Sequence, residues 1–558
     1  TGNRFYCRYL CPYGATFGLL NHAGFYGVEM DQGRCIDCRR CEQACDMGIP
    51  VWEQGKAHGR ITGLEDCMGC ARCVVSCPTD ALAIRDVRNL LQPGVRRDAS
   101  RLLGAPPVAP SAREPIPERP VADRLGDWRE THAEPDLALL ARQAARCLDC
   151  GVPGCRNACP LGNRIPDWLA AAAAGRWAEA AEIAQSTNPL PEVCGRLCPQ
   201  HRLCEGGCAR GHMEGAVTIG AVEGSILEHA LAAGWTPPGP PARRVGRSAA
   251  VIGAGPAGLA CAERLNAAGW TVTVYDRHHE IGGLLATGLP AFRIGKAFLA
   301  RRREWLAAAG VRFVLGVAVD EAQIRGLAAE HDALFLGTGA QRPRTIDLPG
   351  RDKAGVVEAL GFLAAVNAGA APALDGRRVL VLGGGDTAMD CARSALRLGA
   401  TVTVAYRGPE SRLRAAPSEL AETRAEGAGF VFEHSPVAVV GADRVEAVRF
   451  TTPAGEQPLA CDYVILALGQ QPDPPPWLTA LGVATDDTGR IRVDAEGRTS
   501  NARVYAGGDA SHGPDLVVTA LAAGRRAAAA ILADHAQPLW RRQLPREAAP
   551  LAAEEAVA

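Results

Sequence analysis

The sequence predicts an α/β fold: two Rossmann-like nucleotide-binding domains, preceded by a helical cysteine-rich domain and a small cysteine-rich module. Three observations predict it. The runs "CIDCRRCEQAC" at 35–45 and "CMGCARCVVSC" at 67–77 each put four cysteines into eleven positions. A second cysteine block, "CLDCGVPGCRNACP" with "CGRLCPQHRLCEGGC", spans 147–208 and encloses the helix-forming stretch "IPDWLAAAAAGRWAEAAEIAQ". Two later segments, around "GAGPAG" at 253–258 and "GGGDTA" at 383–388, read as strand, glycine turn, helix and strand. The 558 residues suffice for several domains with ample cores. A formal charge of −1 gives no general pull toward nucleic acid or anionic lipid. The chain contains no run of about 18 apolar residues that would span a bilayer.

Of the 21 cysteines, all but Cys261, Cys391 and Cys461 fall in tight groups, which in a long chain with nucleotide signatures point to metal rather than to a disulfide scaffold. The spacing C-x2-C-x2-C-x3-C is that of bacterial two-cluster ferredoxins, where each run gives three thiolates to one 4Fe–4S cubane and its fourth to the other. Cys35, Cys38, Cys41 and Cys77 are therefore assigned to one cluster, and Cys67, Cys70, Cys73 and Cys45 to the second. Zinc is the poorer reading, because structural zinc sites use cysteine pairs across a longer spacer. Upstream, "RFYCRYLCPYGATFGLL" sets Cys7 and Cys11 in a C-x3-C-P arrangement. It resembles the junction between membrane helices and a cytoplasmic ferredoxin domain in polyferredoxin-like proteins. The resemblance implies that the natural chain continues upstream into membrane, which agrees with a start at Thr1 rather than Met. The alternative is an apolar extension packed on the ferredoxin. Residues 93–135, rich in proline, read as a partly extended linker.

In the first nucleotide unit Gly253 allows the tight turn, Gly255 lets backbone approach a pyrophosphate, Pro256 opens the helix and Gly258 lets helix pack on strand. Asp276 ends the second strand, where a carboxylate can accept hydrogen bonds from a ribose. The second unit has Gly383, Gly384, Gly385, Asp386, Thr387 and Ala388 at the corresponding places. Its second strand ends in Tyr406 and Arg407 instead of an acid, with Arg412 and Arg414 beyond. An adenosine 2′-phosphate needs cations, so this site favours NADPH over NADH. The solitary cysteines offer no C-x-x-C pair, so reducing equivalents are not destined for a thiol couple of this chain.

From about 112 to 536 the chain closely resembles the small, NADPH-oxidising subunit of bacterial glutamate synthase and the same architecture in dihydropyrimidine dehydrogenase. The resemblance is carried by "RPVADRLGDWRE", "NPLPEVCGRLCP", "LCEGGC" and "GAVTIGAVE". It implies two further 4Fe–4S clusters, making about four in all. One lies on Cys147, Cys150, Cys155 and Cys208, the other on Cys159, Cys198 and Cys204, with either Cys194 or Glu223 as fourth ligand. It also implies FAD on the first turn, with Gly283 and Leu284 of "EIGGLL" near the flavin. Gly508 precedes Asp509, which by the same resemblance faces the flavin ribityl and phosphate. The expected route runs from NADPH through FAD to the 147–208 clusters and then to the 35–77 clusters. It ends on an electron-transfer partner: a glutamate synthase large subunit, a ferredoxin or a membrane redox module. Intact glycine signatures argue against a mere cluster-carrying scaffold. The expected location is the cytoplasm, at the inner-membrane face if the upstream membrane part exists. Expected boundaries are 1–30 for the C-x3-C-P segment, 31–92 for the ferredoxin domain, 93–135 for the linker and 136–242 for the helical dicluster domain. The FAD domain then takes 243–350 and 470–536, the NADPH domain 351–469 and the tail 537–558.

Overall fold

The computed structural model describes residues 26–45, 47–61, 67, 70–86 and 112–536. Cys7, Cys11 and the tail after 536 lie outside the described residues. The chain forms two units, one drawn from residues up to 115, 135–195 and 199–235, the other from 116–134, 196–198 and 236 onward.

In the first unit, strand Tyr26–Met30 pairs antiparallel with Leu82–Asp86, so the beginning and end of the small module close on each other. Between them, Met30, Cys41, Ile49, Val51, Val74 and Leu82 form a small apolar core into which the cysteines are set. Such a core buries little apolar surface on its own, which is why modules of this size depend on metal. The cysteine-rich helical domain follows. Pro166 occupies the first turn of helix Ile165–Ala173, where its missing N–H costs nothing, and Trp168, Leu169 and Ala172 of that helix are buried. Helices Pro191–Leu197 and Ile219–Ala232 cross closely, because a Cβ on Gly195 would run into the backbone of Gly224.

In the second unit a five-stranded parallel sheet runs in the order Val504–Ala506, Ala333–Leu336, Ser248–Ile252, Thr271–Asp276, Arg312–Leu315. Its central strand is apolar on both faces, as expected when helices cover both sides. A second parallel sheet has the order Gly429–Phe432, Thr401–Tyr406, Arg378–Leu382, Tyr463–Leu466, Val356–Glu358. The chain leaves the first sheet's domain through Arg342–Pro343 and returns through Gln470–Gln471, and these short strands pair antiparallel. A three-stranded antiparallel sheet, Ser435–Val440, Ala447–Thr452 and Gly455–Ala460, is inserted in the second domain. Cys261, Cys391 and Cys461 are core residues, at 0 %, 0 % and 1 % exposure. No described helix is long and apolar enough to cross a membrane.

Composition assigns residues 93–135 to an extended linker, yet its described part, from 112 on, is structured. It carries helix Val121–Leu125, and Arg119 makes a two-pronged ion pair with Asp127 at 2.6 and 3.0 Å. Its tie to the rest of its unit is buried: Thr131 N–H donates to the Phe292 carbonyl at 3.0 Å. The prolines suit a chain that supplies its hydrogen bonds through side chains and a few long-range partners rather than through a ladder.

Candidate functional site: glycine turns and grouped thiols

Both glycine turns join a central strand to a twelve-residue helix, Pro256–Ala267 and Asp386–Arg397. Gly253 (φ 109°) and Gly383 (φ 148°) take left-handed backbone, and a Cβ on either would strike the carbonyl of Gly337 or Ala467 from the neighbouring strand. Gly258 is needed for packing, since a Cβ there would meet the carbonyl of Gly253. Gly255 and Gly385 differ: a Cβ on either would meet nothing within 4 Å. Nothing inside the chain demands glycine at those two places, so the close approach they permit is that of an outside group at a helix N-terminus. A nucleotide pyrophosphate fits that description.

Other predicted residues converge on the first turn. A Cβ on Gly283 (φ 55°) would lie 3.2 Å from Gly255 Cα, which brings Leu284 and its short helix to the turn. A Cβ on Gly508 (φ 69°) would lie 2.9 Å from the Ala257 side chain, and Asp509 begins the next helix. Burial pushes the Asp509 carboxyl up to about 7, against a hydrogen bond from the Asp515 backbone that lowers it. Asp276 accepts the N–H of Ala254 at 2.7 Å and of His278 at 2.8 Å, one on each oxygen. It therefore braces the turn itself, while each oxygen keeps a further lone pair for a ribose hydroxyl.

At the second turn, Arg414 and Ala415 N–H groups both donate to the Gly384 carbonyl at 3.0 Å, and Ala416 N–H donates to Asp386 at 2.8 Å. The 407–416 loop is thereby folded back over the glycine turn, with the Tyr406 ring beside Gly384. Asp386 serves this loop rather than a ligand directly, and Thr387 follows it on the helix. Arg407, Arg412 and Arg414 are all exposed and, among the described residues, form no ion pair. Three uncommitted guanidinium groups at one strand end suit a phosphate dianion.

The thiols gather as the spacing predicts. Cys35, Cys38, Cys41 and Cys77 line one recess together with Trp52 and Leu82. Burial, and then the thiols of Cys38 and Cys77, push Cys41 up to about 12. Cys73 is raised to about 12 by burial and then by Cys67, Cys45 and Cys70, the other predicted set. In the helical domain a Cβ on Gly154 would run into the carbonyl of Gly207, and this close contact sets Cys155 beside Cys208. Cys155 is raised to about 12 by burial and by Cys147 and Cys208. Cys159 and Cys204 are raised by burial, and of their charged neighbours Glu223 acts most strongly on each. Cys198 directly follows the end of helix Pro191–Leu197. The described cysteines form no disulfides. Thiols grouped this closely repel one another once ionised, so a cationic iron core that displaces their protons is a group that fits them.

Glu223 is buried with a carboxyl raised to about 7, and its Oε1 accepts from Asn163 at 2.6 Å and Asn188 at 2.9 Å. Cys194 is also buried, its sulfur 3.7 Å from Asn188 Oδ1. Sequence reasoning missed Lys296, which donates to the carbonyls of Leu285 and Leu289 at 2.6 Å and so holds the loop after Gly283. Burial lowers its ammonium to about 8. Its rarity, as one of a handful of lysines in an arginine-rich chain, was the available signal.

Comparison with known proteins adds the following. The pyridine nucleotide-disulphide oxidoreductase family matches residues 247–524, the dihydropyrimidine dehydrogenase domain II 4Fe–4S family matches 124–235, and a 4Fe–4S dicluster domain matches 34–82. The chain is 39 % identical to the putative oxidoreductase AegA of Escherichia coli, over 94 % of this chain and 89 % of that protein. It is 42 % identical to the glutamate synthase [NADPH] small chain of Halomonas elongata, over 75 % of this chain and 96 % of that one. Among solved structures, FprA of Mycobacterium tuberculosis in complex with NADPH aligns at TM-score 0.45 and 19 % identity, over 52 % of this chain and 85 % of that one.

Proposed function

This chain belongs to the family of the glutamate synthase small chain, and from that membership we propose how its residues divide the work and where its electrons go. It is an NADPH-dependent oxidoreductase that uses FAD and 4Fe–4S clusters. Bound flavin accepts hydride in pairs of electrons and clusters carry electrons singly; the protein supplies position and potential. The turn of Gly253, Gly255, Pro256 and Gly258, braced by Asp276 and closed by Gly283, Leu284, Gly508 and Asp509, would hold FAD. The turn from Gly383 to Thr387 would hold the NADPH pyrophosphate, with Arg407 and Arg414 on the 2′-phosphate. The grouped thiols from Cys35 to Cys208 would hold four cubanes, with Glu223 favoured over Cys194 beside Cys159 and Cys204 because, of the charged groups near them, it acts most on both.

The observation that carries this reading is the pair of helix-opening glycines, Gly255 and Gly385, that face open space on two joined parallel sheets. The first step needs orientation rather than an acid or base, so the absence of a nucleophile constellation is no obstacle. The partner is an electron-transfer protein. The glutamate synthase small chains align with about three quarters of this chain, whereas the AegA alignment takes in 94 % of it. That difference favours an acceptor other than a glutamate synthase large subunit, a ferredoxin or membrane redox module served by the 35–77 cysteines. Anaerobic NADPH should bleach the yellow flavin absorbance of the holoprotein. An unchanged spectrum would reduce the chain to a scaffold.

A further inference from the structure

The two cysteine modules of the first unit meet at Gly151, which no ligand assignment requires. A Cβ on Gly151 would lie 2.7 Å from the Arg39 carbonyl oxygen and 3.2 Å from the Gln43 side chain. Gly151 directly follows Cys150, and Arg39 directly follows Cys38, so the contact brings one ligand of each module to the same place. Arg39 also leads directly into helix Arg40–Gln43, which carries Cys41 of the same set. Among the described cysteines, Cys70, of the set containing Cys73, is the exposed one.

We propose that single electrons cross between the modules at the Gly151–Arg39 contact, from the Cys150 site to the Cys38 site, and that the Cys73 site is last in line and serves the external acceptor. This order rests on the four-cluster reading above. Oxidation of one NADPH to NADP⁺ releases one proton and two electrons, so two crossings occur per NADPH. In each, the Cys150 cluster is oxidised by one electron and the Cys38 cluster reduced by one. Two equivalents of a one-electron acceptor are then reduced by way of the Cys73 cluster.

The test is electron paramagnetic resonance on dithionite-reduced holoprotein, which needs neither NADPH nor turnover. Neighbouring reduced cubanes broaden each other's signals. Cys38→Ala with Cys41→Ala removes the Cys38 cluster, about four iron per chain. The Cys73 cluster should then show a narrow signal, uncoupled from the Cys150 cluster; persisting coupling between the two would overturn the order. Cys67→Ala with Cys73→Ala removes the other cluster, and coupling between the Cys38 and Cys150 clusters should survive; its collapse would overturn the order as well. Where the first double variant loses about eight iron, and with it both ferredoxin-type clusters, the second variant decides. Failure of NADPH to bleach flavin in the unmodified protein would instead strike the function, leaving the coupling pattern to stand or fall by itself.

Discussion

Arg407 and Arg414 show how much a single strand end determines. Their guanidinium groups are exposed and uncommitted, and the loop carrying Arg414 is tied to the Gly384 carbonyl, so the cations are positioned without being neutralised. Arg407→Ala with Arg414→Ala should raise KM for NADPH by about ten- to a hundredfold, the worth of one or two charge-assisted hydrogen bonds, and change KM for NADH little. Steady-state kinetics with both nucleotides checks it, and equal effects would remove the 2′-phosphate assignment. Asp509 is the opposite case, an acid held where its charge is costly. Its folded-state value of about 7 lies above the ordinary carboxylate value, so the folded protein binds the extra proton and stability falls as pH rises from about 4 to about 7. Asp509→Asn should therefore raise the melting temperature of flavin-free protein at pH 8, with the gain shrinking toward pH 5. The same variant should retain less FAD, read from the ratio of flavin to protein absorbance. The arginines stand out in the sequence because a 2′-phosphate would demand cations at that interval after the glycines. Lys296 does not, because its partners are carbonyls that only folding brings within reach.

Between elements, the least anticipated feature is a buried charge network. Helix Asp386–Arg397 presents Arg393, at 0 % exposure, to Glu422 at 2.7 Å and Glu426 at 2.8 Å, and Arg397 meets Glu426 at 2.6 Å. Arg293, from the loop preceding Lys296, reaches Asp390 at 3.1 Å and Glu419 at 2.5 Å, so the two nucleotide domains are joined through charge. Thr131 of the 112–135 stretch accepts from Arg393 at 2.6 Å, and the Phe292 ring lies under Arg393 and Arg397 at 4.6 and 4.0 Å. Such a network adds little net stability over an apolar core, but removing one member leaves its partners uncompensated. Arg393→Ala should cost about 3–5 kcal/mol, measured by denaturant titration of the flavin-loaded protein. A cost under about 1 kcal/mol would show the network to be solvated. Sequence periodicity finds helices and strands, yet it has no signal for which helix-borne carboxylates will face which arginines in a chain so rich in both.

At the scale of the whole molecule, four cubanes require about sixteen iron and sixteen acid-labile sulfide per chain, and about eight of each would mean that one cysteine block stays empty. Cys155→Ala should lower the iron count by about four while NADPH still reduces the flavin, with transfer to a one-electron dye cut at least tenfold. Loss of flavin reduction in that variant would give the helical domain a structural role instead. The cofactor classes of this protein followed from residue type and spacing along the chain, and the same spacing singled out Cys35, Cys38, Cys41 and Cys77, which line one recess. Thiol runs and glycine turns act through neighbours a few residues away, and short-range geometry survives translation into sequence. What only the tertiary structure decided was the set of close approaches between distant segments: Gly154 on Gly207, Gly195 on Gly224, Gly151 on Arg39, and the network around Arg393. Each depends on a missing side chain or a buried charge finding its partner across tens or hundreds of residues, and no local pattern records which partner that is.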